Sequence, residues 1–270
     1  MKDLHIHTKY SDGEFDEREI LEKIKEEGIS EFAICDHDTI EGSEKVSRLV
    51  KNDKDLIFHS GVELSSRINE MYGGIDIHLL VRDFDYNDSN IIKLIDKIAY
   101  LRDLKIERMV DLVEEIYGVR ISEEEIERKK RETNSFGKPH IYALLLNHGD
   151  YDRETFYKKM RALKAGDLKI EAKEILETLK SSDCYVTLAH PFEIMDEYKV
   201  SYEDIDKIVS YLKNYGLDAV ETRHSKHSEQ DYEVFSSIAR KYNLKETCGS
   251  DYHGPRVKPH VKLGVCVKEN

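Results

Sequence analysis

The stretch Asp3-Leu4-His5-Ile6-His7, followed by Ser11-Asp12-Gly13 and then Asp36-His37-Asp38-Thr39, decides how this chain is read. Two histidines at i and i+2 in an alternating run point to one side of a β-strand. A strand from Leu4 to Thr8 therefore sets the His5 and His7 imidazoles side by side, which is how a metal site is seeded.

Outward from that strand, short apolar runs alternate with helical patterns over the first 82 residues. Ile20, Leu21 and Ile24 ahead of Gly28 predict an amphipathic helix closed by glycine. Phe32 to Cys35 predicts a second strand, and Val46, Leu49 and Val50 a second helix. Leu56 to Phe58 with Gly61 to Leu64 predicts a third strand segment, and Ile75 to Val81 a fourth. This is the rhythm of an α/β barrel or an open parallel sheet.

From Asn90 to Ser182 the rhythm changes. Ile91, Leu94, Ile95 and Ile98, then Met109, Leu112, Val113 and Ile116 before Gly118, keep three- and four-residue spacing in highly charged surroundings. Residues 90–182 are expected to form a helical insertion subdomain, and residues 1–89 with 183–270 the barrel domain. After the insertion the alternation returns, with strands at Cys184 to Leu188, Leu217 to Glu221, Glu246 to Cys248 and Leu263 to Val267, and helices at Tyr202 to Tyr215 and Glu229 to Tyr242.

Composition narrows the function. Charged residues make up 36% of the 270 residues and the net charge is −13, which argues against broad electrostatic attraction to nucleic acid. No stable binding of a nucleic-acid duplex is expected, and a phosphorylated substrate needs local positive charge. No apolar run approaches the roughly 20 residues of a membrane span, and the amino terminus lacks a signal-peptide pattern. A cytoplasmic protein without a membrane partner is the expectation. Cys35, Cys184, Cys248 and Cys266 are widely spaced with no CxxC pair, so neither a disulfide framework nor a cysteine zinc site is expected. Cys35 and Cys248 lie in apolar strand-like runs and are read as small core residues.

Residues with ligand chemistry gather at strand ends: His5 and His7, His37, Glu63, His78, His190, Glu221, and Asp251 with His253. In α/β barrels that rim is where ligands bind. A single histidine there is usually a hydrogen-bonded core or surface imidazole; repetition at equivalent strand ends is not explained that way. Imidazole with carboxylate suits Mn, Fe or Zn, and the donors exceed what one ion takes, so two to three divalent metal ions are expected. Asp36 is placed to orient the His37 imidazole, while Asp38 equally suits capping of the next helix. His59, His148 and His260 fit no motif and are read as structural.

The segments HIHTKYSDG (5–13), CDHDT (35–39), GVE (61–63), IDIHLL (75–80), TLAHP (187–191) and GSDYHG (249–254) resemble, in order, the motifs of the polymerase and histidinol phosphatase (PHP) superfamily of metal-dependent phosphoesterases. The chain is most similar to its stand-alone subgroup with a helical insertion after the fourth strand. Members of that subgroup hydrolyse nucleoside 3′,5′-bisphosphates or trim short RNA from its 5′ end.

The resemblance implies a distorted (β/α)7 barrel, the PHP fold, with a trinuclear site. His5, His7, Glu63 and Asp251 would hold one ion, Glu63, His78 and His190 a second, and Asp12, His37 and His253 the third, with Glu63 bridging the first two. Asp12, where many relatives carry histidine, is typical of the subgroup. Glu63, Asp251 and His190 are the implied catalytic residues, holding a metal-bound hydroxide in line with phosphorus. Lys138-Pro139-His140 stands where the subgroup has Arg-Pro-His contacting phosphate, so Lys138 offers a point charge instead of a fork. Arg223, His224 and His227 either complete a phosphate pocket or are solvated loop residues, and Glu221 supports a ligand. The implied partner is a small phosphorylated substrate, either a nucleotide or a short RNA end. Histidinol-phosphate phosphatase and a non-catalytic metal-binding module are the alternatives.

Overall fold

The computed structural model describes residues 1–131, 136–161 and 168–266. Its elements run β1 (Lys2–Ile6), α1 (Glu17–Glu26), β2 (Glu31–Ile34), α2 (Glu41–Val50), β3 (Ile57–His59), β4 (Gly61–Ile68), β5 (Ile75–Arg82), α3 (Ser89–Tyr117), α4 (Glu123–Arg131), α5 (Lys138–Leu146), α6 (Arg153–Arg161), α7 (Ala172–Leu179), β6 (Tyr185–Leu188), α8 (Pro191–Tyr198), α9 (Tyr202–Tyr215), β7 (Ala219–His224), α10 (Glu229–Lys241) and β8 (Lys245–Gly249).

The first helix shows how sequence sets these elements. Asp16 accepts from the backbone of Arg18 and Glu19 while Glu19 returns to the Asp16 backbone, a capping box that fixes where α1 begins. Ile20 and Ile24 then fall on one face and are fully buried with Ile6, Phe32, Ile34 and Val46. Each such side chain contributes about 1.5–3 kcal/mol by leaving water. Capping boxes also start α9 at Ser201 and α10 at Ser228.

The strands form a parallel sheet β1-β2-β3 and a mixed sheet β4-β5-β6-β7-β8, in which β5 is antiparallel to both neighbours. Bridges between His37 and Glu63 and between Ile6 and Tyr252 join the two sheets at both seams, so the strands wrap into a distorted α/β barrel. The segment read as one third strand is two: β3 ends the first sheet and β4 opens the second. Ser60 turns away between them, its hydroxyl donating to the Phe84 carbonyl at 2.7 Å. Gly61 is required there, because a Cβ would lie 2.5 Å from the Ile34 carbonyl oxygen and 2.7 Å from Cys35 Sγ.

The expected strand from Leu263 to Val267 is also corrected. Its described part makes a single bridge, Cys266 to Lys2, and Val267 lies outside the described residues. That return of the chain onto β1, whose other neighbour is the end of β8, brings Cys266 to Cys248 with 5.7 Å between Cα atoms, and the two form a disulfide. Cys248 is thus not a free core thiol as expected; Cys35 is free and buried.

The chain divides into two units, Met1–Asp96 with Ile170–Asn270, and Lys97–Lys169. The first holds the barrel, including α7. The second has a core of its own built from Ile106, Met109, Val113, Ile141, Leu144 and Phe156. Among the described residues no helix is long and apolar enough to cross a membrane.

Candidate metal centre

β1 delivers its two histidines as the alternation requires. Behind them, the fully buried Asp3 carboxylate accepts from the backbone N–H of His5, Ser250 and Gly264, tying β1 to the segments that follow β8. His5 Nδ1 lies 3.2 Å from Glu221 Oε1, which turns Nε2 inward to within 3.0 Å of His7 Nε2. Gly249 makes room for this arrangement: a Cβ there would overlap the His5 Cβ.

Glu63 is the hub. Its backbone is pinned between Asp36 and Asp38 by hydrogen bonds of 3.1 and 2.9 Å, and its carboxylate is fully buried. Oε1 meets His78 Nδ1 and His190 Nε2, each at 2.9 Å. Oε2 meets His5 Nε2 at 3.2 Å, His7 Nε2 at 3.1 Å and His37 Nδ1 at 3.2 Å. The two oxygens therefore serve two different sets of imidazoles.

Asp251 completes the inner set, with Oδ1 at 3.3 Å from His7 Nε2 and 3.8 Å from His5 Nε2. Asp12 Oδ1 lies 3.1 Å from His253 Nε2, and its Oδ2 3.8 Å from His37 Nε2. Ligand atoms of His5, His7, Glu63 and Asp251 fall within 4.8 Å of one another, as do those of His7, Asp12, His37 and His253, and those of His37, Glu63 and His78. A fourth such group, Glu193, His224 and Asp251, was not foreseen as a ligand set. Asp38, His190 and Asp251 hold left-handed backbone, with φ of 55°, 27° and 56°.

The donor set fits divalent cations. Burial alone would raise the Glu63 carboxyl, but the surrounding imidazoles of His37, His5 and His78 hold it well below the carboxylate range. Burial would likewise discharge His7, yet its bonds to Asp251 and Glu63 raise it to about 9. A field that pulls a proton onto a buried imidazole is the field that attracts a metal cation. His37 Nδ1 is buried and makes no hydrogen bond, as a ligand atom awaiting an ion would.

Asp36 does not orient His37. It accepts from the Thr8 backbone and hydroxyl and from Ser11 Oγ at 2.7, 2.6 and 2.6 Å, bracing the loop after β1 behind His7. Asp38 accepts from the Ser65 backbone at 2.8 Å, and at the start of α2 the Thr39 hydroxyl accepts from the Glu41 backbone N–H at 3.3 Å. Glu221 supports His5 as expected. His224 lies 3.5 Å from Asp251 Oδ2, and His227 stands behind His224 with its Nδ1 on the Thr222 carbonyl at 2.9 Å. Arg223 faces the other way, stacked 3.6 Å over the Tyr232 ring. Lys138 and His140 stand in the first turn of α5, in the second unit, where His140 Nδ1 accepts from the Gly137 backbone. His59 and His148 make ion pairs away from the cluster, to Asp83 and Glu125.

Two residues at the centre escaped the sequence reading. Glu193 lies one helical turn after His190, a spacing that could have flagged it, and its Oε2 is 3.7 Å from His190 Nδ1. Lys258, whose ammonium binds Asp251 Oδ2, sits in a loop and carried no signal.

A 5′-3′ exoribonuclease of Haemophilus influenzae is 23% identical over 94% of this chain and 90% of its own length. A phosphoribosyl 1,2-cyclic phosphate 1,2-diphosphodiesterase of Eggerthella lenta is 27% identical over 98% of this chain and 99% of its own. The fold is shared with a candidate metal-dependent phosphoesterase from Bifidobacterium adolescentis, with a TM-score of 0.69 and 24% identity over 97% of this chain and 90% of that one. The PHP domain model matches residues 3–253, from the aspartate before the paired histidines to the last histidine of the cluster, and the chain belongs to that family.

Proposed function

We propose that this protein is a metal-dependent phosphoesterase that hydrolyses a phosphomonoester of a small molecule or nucleotide, such as a nucleoside 3′,5′-bisphosphate or the 5′ end of a short RNA. The observation that carries the proposal is the division of the Glu63 carboxylate between two sets of imidazoles, His78 and His190 on Oε1 and His5, His7 and His37 on Oε2. A carboxylate can bridge two ions through its two oxygens, whereas each imidazole nitrogen serves one. His5, His7, Glu63 and Asp251 would hold one ion, Glu63, His78 and His190 a second, and Asp12, His37 and His253 a third. Bound divalent ions of the Mn, Fe or Zn type supply Lewis acidity toward phosphoryl oxygens and lower the pKa of coordinated water.

The chain's own residues set the stage for that chemistry. Glu221 fixes the His5 ring from behind, and Ser11, held by Asp36, approaches His7 Nδ1 at 3.5 Å. Burial of His5, His7, Glu63 and Asp251 removes competing water and strengthens every charge interaction in the cluster. The activities for which the two relatives are named, on RNA and on a ribose cyclic phosphate, support a phosphate ester of ribose as substrate. The test is metal analysis with a substrate panel of adenosine 3′,5′-bisphosphate, 5′-phosphorylated short RNA, a ribose cyclic phosphate and histidinol phosphate. Two to three equivalents of metal are expected, with faster phosphate release from the bisphosphate than from histidinol phosphate. The reverse preference moves the protein to histidine biosynthesis, and no hydrolysis with Mn, Fe or Zn makes it a metal-binding module.

A further inference from the structure

The Cys248–Cys266 disulfide lies behind two of the proposed ligands. Cys248 stands on β8 three residues before Asp251, and Cys266 is bridged to Lys2, three residues before His5 on β1. The two ligand segments are tied directly, the Asp251 backbone N–H donating to the His5 carbonyl at 2.8 Å. They also meet on the fully buried Asp3 carboxylate, whose Oδ1 accepts from the Ser250 backbone at 2.9 Å and from that of His5 at 3.4 Å. Its Oδ2 accepts from the Gly264 backbone at 2.8 Å. One carboxylate therefore holds both ligand segments on one oxygen and the disulfide-bound segment on the other.

Gly264 reaches Asp3 on a segment that forms no strand of its own among the described residues; the Lys2 bridge, the packing of Leu263 and the disulfide tie it to the barrel. Cutting the disulfide frees this segment to withdraw, and a buried carboxylate that loses a donor is no longer held in place. The disulfide is also within reach of solvent. Both cysteines line a cavity of about 440 Å³, and Cys248 is the more exposed of the two. The cavity wall carries Lys2 and Arg223 against Glu31 and Glu246, so its charges balance and entry does not depend on the sign of the visitor. A disulfide met from solvent exchanges with thiols by attack on its accessible sulfur.

We propose that Cys248–Cys266 is a reversible thiol–disulfide exchange site that sets how tightly the metal centre holds its ions, the oxidised form being the tighter one. The proposal rests on the reading of the cluster as a metal centre. The co-reactant is a small dithiol. One of its thiolates attacks Cys248 Sγ, the S–S bond breaks, and Cys266 leaves as a thiolate that takes up a proton. The second dithiol sulfur then displaces Cys248, which is protonated in turn, and the dithiol closes into its own disulfide. Two electrons and two protons pass from the dithiol to the protein, and exchange with a disulfide compound such as oxidised glutathione closes the clamp again.

The experiment uses the full chain, with dithiothreitol as the reductant, removed by desalting before calorimetric titration with Mn. Alkylation of the unfolded chain should add two labels to protein treated with oxidised glutathione, at Cys35 and Cys184, and four after reduction. Reduction is expected to weaken Mn binding about tenfold, the scale of losing support behind a ligand, and oxidised glutathione to restore it. Cys266→Ser should bind Mn as the reduced wild type does, with no response to either reagent. Four labels on the oxidised protein overturn the proposal. So does equal Mn affinity in the two forms, even where the reduced form melts at a lower temperature, since the disulfide is then a stabilising crosslink alone. Should Cys266→Ser not fold, Cys248→Ser and the reversible change in the wild type decide the matter. Failure of the metal-centre reading appears separately, as no Mn bound by the oxidised wild type, and takes the proposal with it.

Discussion

The two units of this chain handle polarity in opposite ways. In the unit containing the barrel, His5, His7, Asp3, Asp36, Glu63, His190, Glu221, Asp251 and His253 are all buried. In Lys97–Lys169, among the described residues, the buried side chains are apolar and the charges stand outside, as in the exposed α4 with its run of Glu123, Glu124 and Glu125. Burying a charged group costs several kcal/mol unless partners offset it. A unit that buries polar groups together has been shaped by something other than stability, and one that buries none has been shaped by packing.

That contrast can be broken most sharply at Glu63. Glu63→Gln keeps the shape and removes the charge shared by five imidazoles, and should lower phosphoester turnover at least about a thousandfold and reduce bound metal. Retained activity with full metal content would remove the bridging role. The complementary change, Phe156→Ala in the core of the second unit, should cost about 3–5 kcal/mol in denaturant unfolding while leaving metal content intact. Loss of metal in that variant would show that the two units are not separable in function.

Smaller effects sharpen the contrast within the barrel unit. Glu221→Gln leaves every proposed ligand in place, yet should weaken metal affinity about 10- to 100-fold by releasing the His5 ring, as a metal titration would show. His59 gives the smallest effect, since it pairs with Asp83 and Glu31 outside the cluster. The hydrogen bond to Asp83 raises its pKa above 6.5 against the opposing effect of burial. Its stabilisation is therefore full below the unfolded value and lost as pH rises through the folded one. His59→Gln should lower the melting temperature at about pH 6 and leave it nearly unchanged at about pH 9, a difference worth less than about 1 kcal/mol. An equal loss at both values would assign His59 a packing role instead.

The inward histidines were legible because residue type and strand alternation are local properties. The HIH pair, Glu63 after Gly61 and the strand-end histidines each announce themselves within a few residues. What escaped depends on long-range geometry. Alternation along β7 puts Glu221 and Arg223 on one face; a shift of register between them instead turns His224 to the centre and Arg223 away from it. The antiparallel course of β5 follows from its short turn after β4, and residue pattern alone does not name a strand's partner. Lys258 and the Cys248–Cys266 disulfide depend on where the chain travels after its last strand, which no periodicity encodes.

The left-handed backbone at Asp38, His190 and Asp251 has a consequence for how this protein can change. A residue with a Cβ in that region costs about 1–3 kcal/mol unless the surroundings enforce it, and glycine relieves the cost. At Asp251 and His190, the substitution that most readily relaxes the main chain is the one that deletes a proposed ligand. Selection for heat tolerance alone would therefore erode the metal centre before it touched the hydrophobic interior.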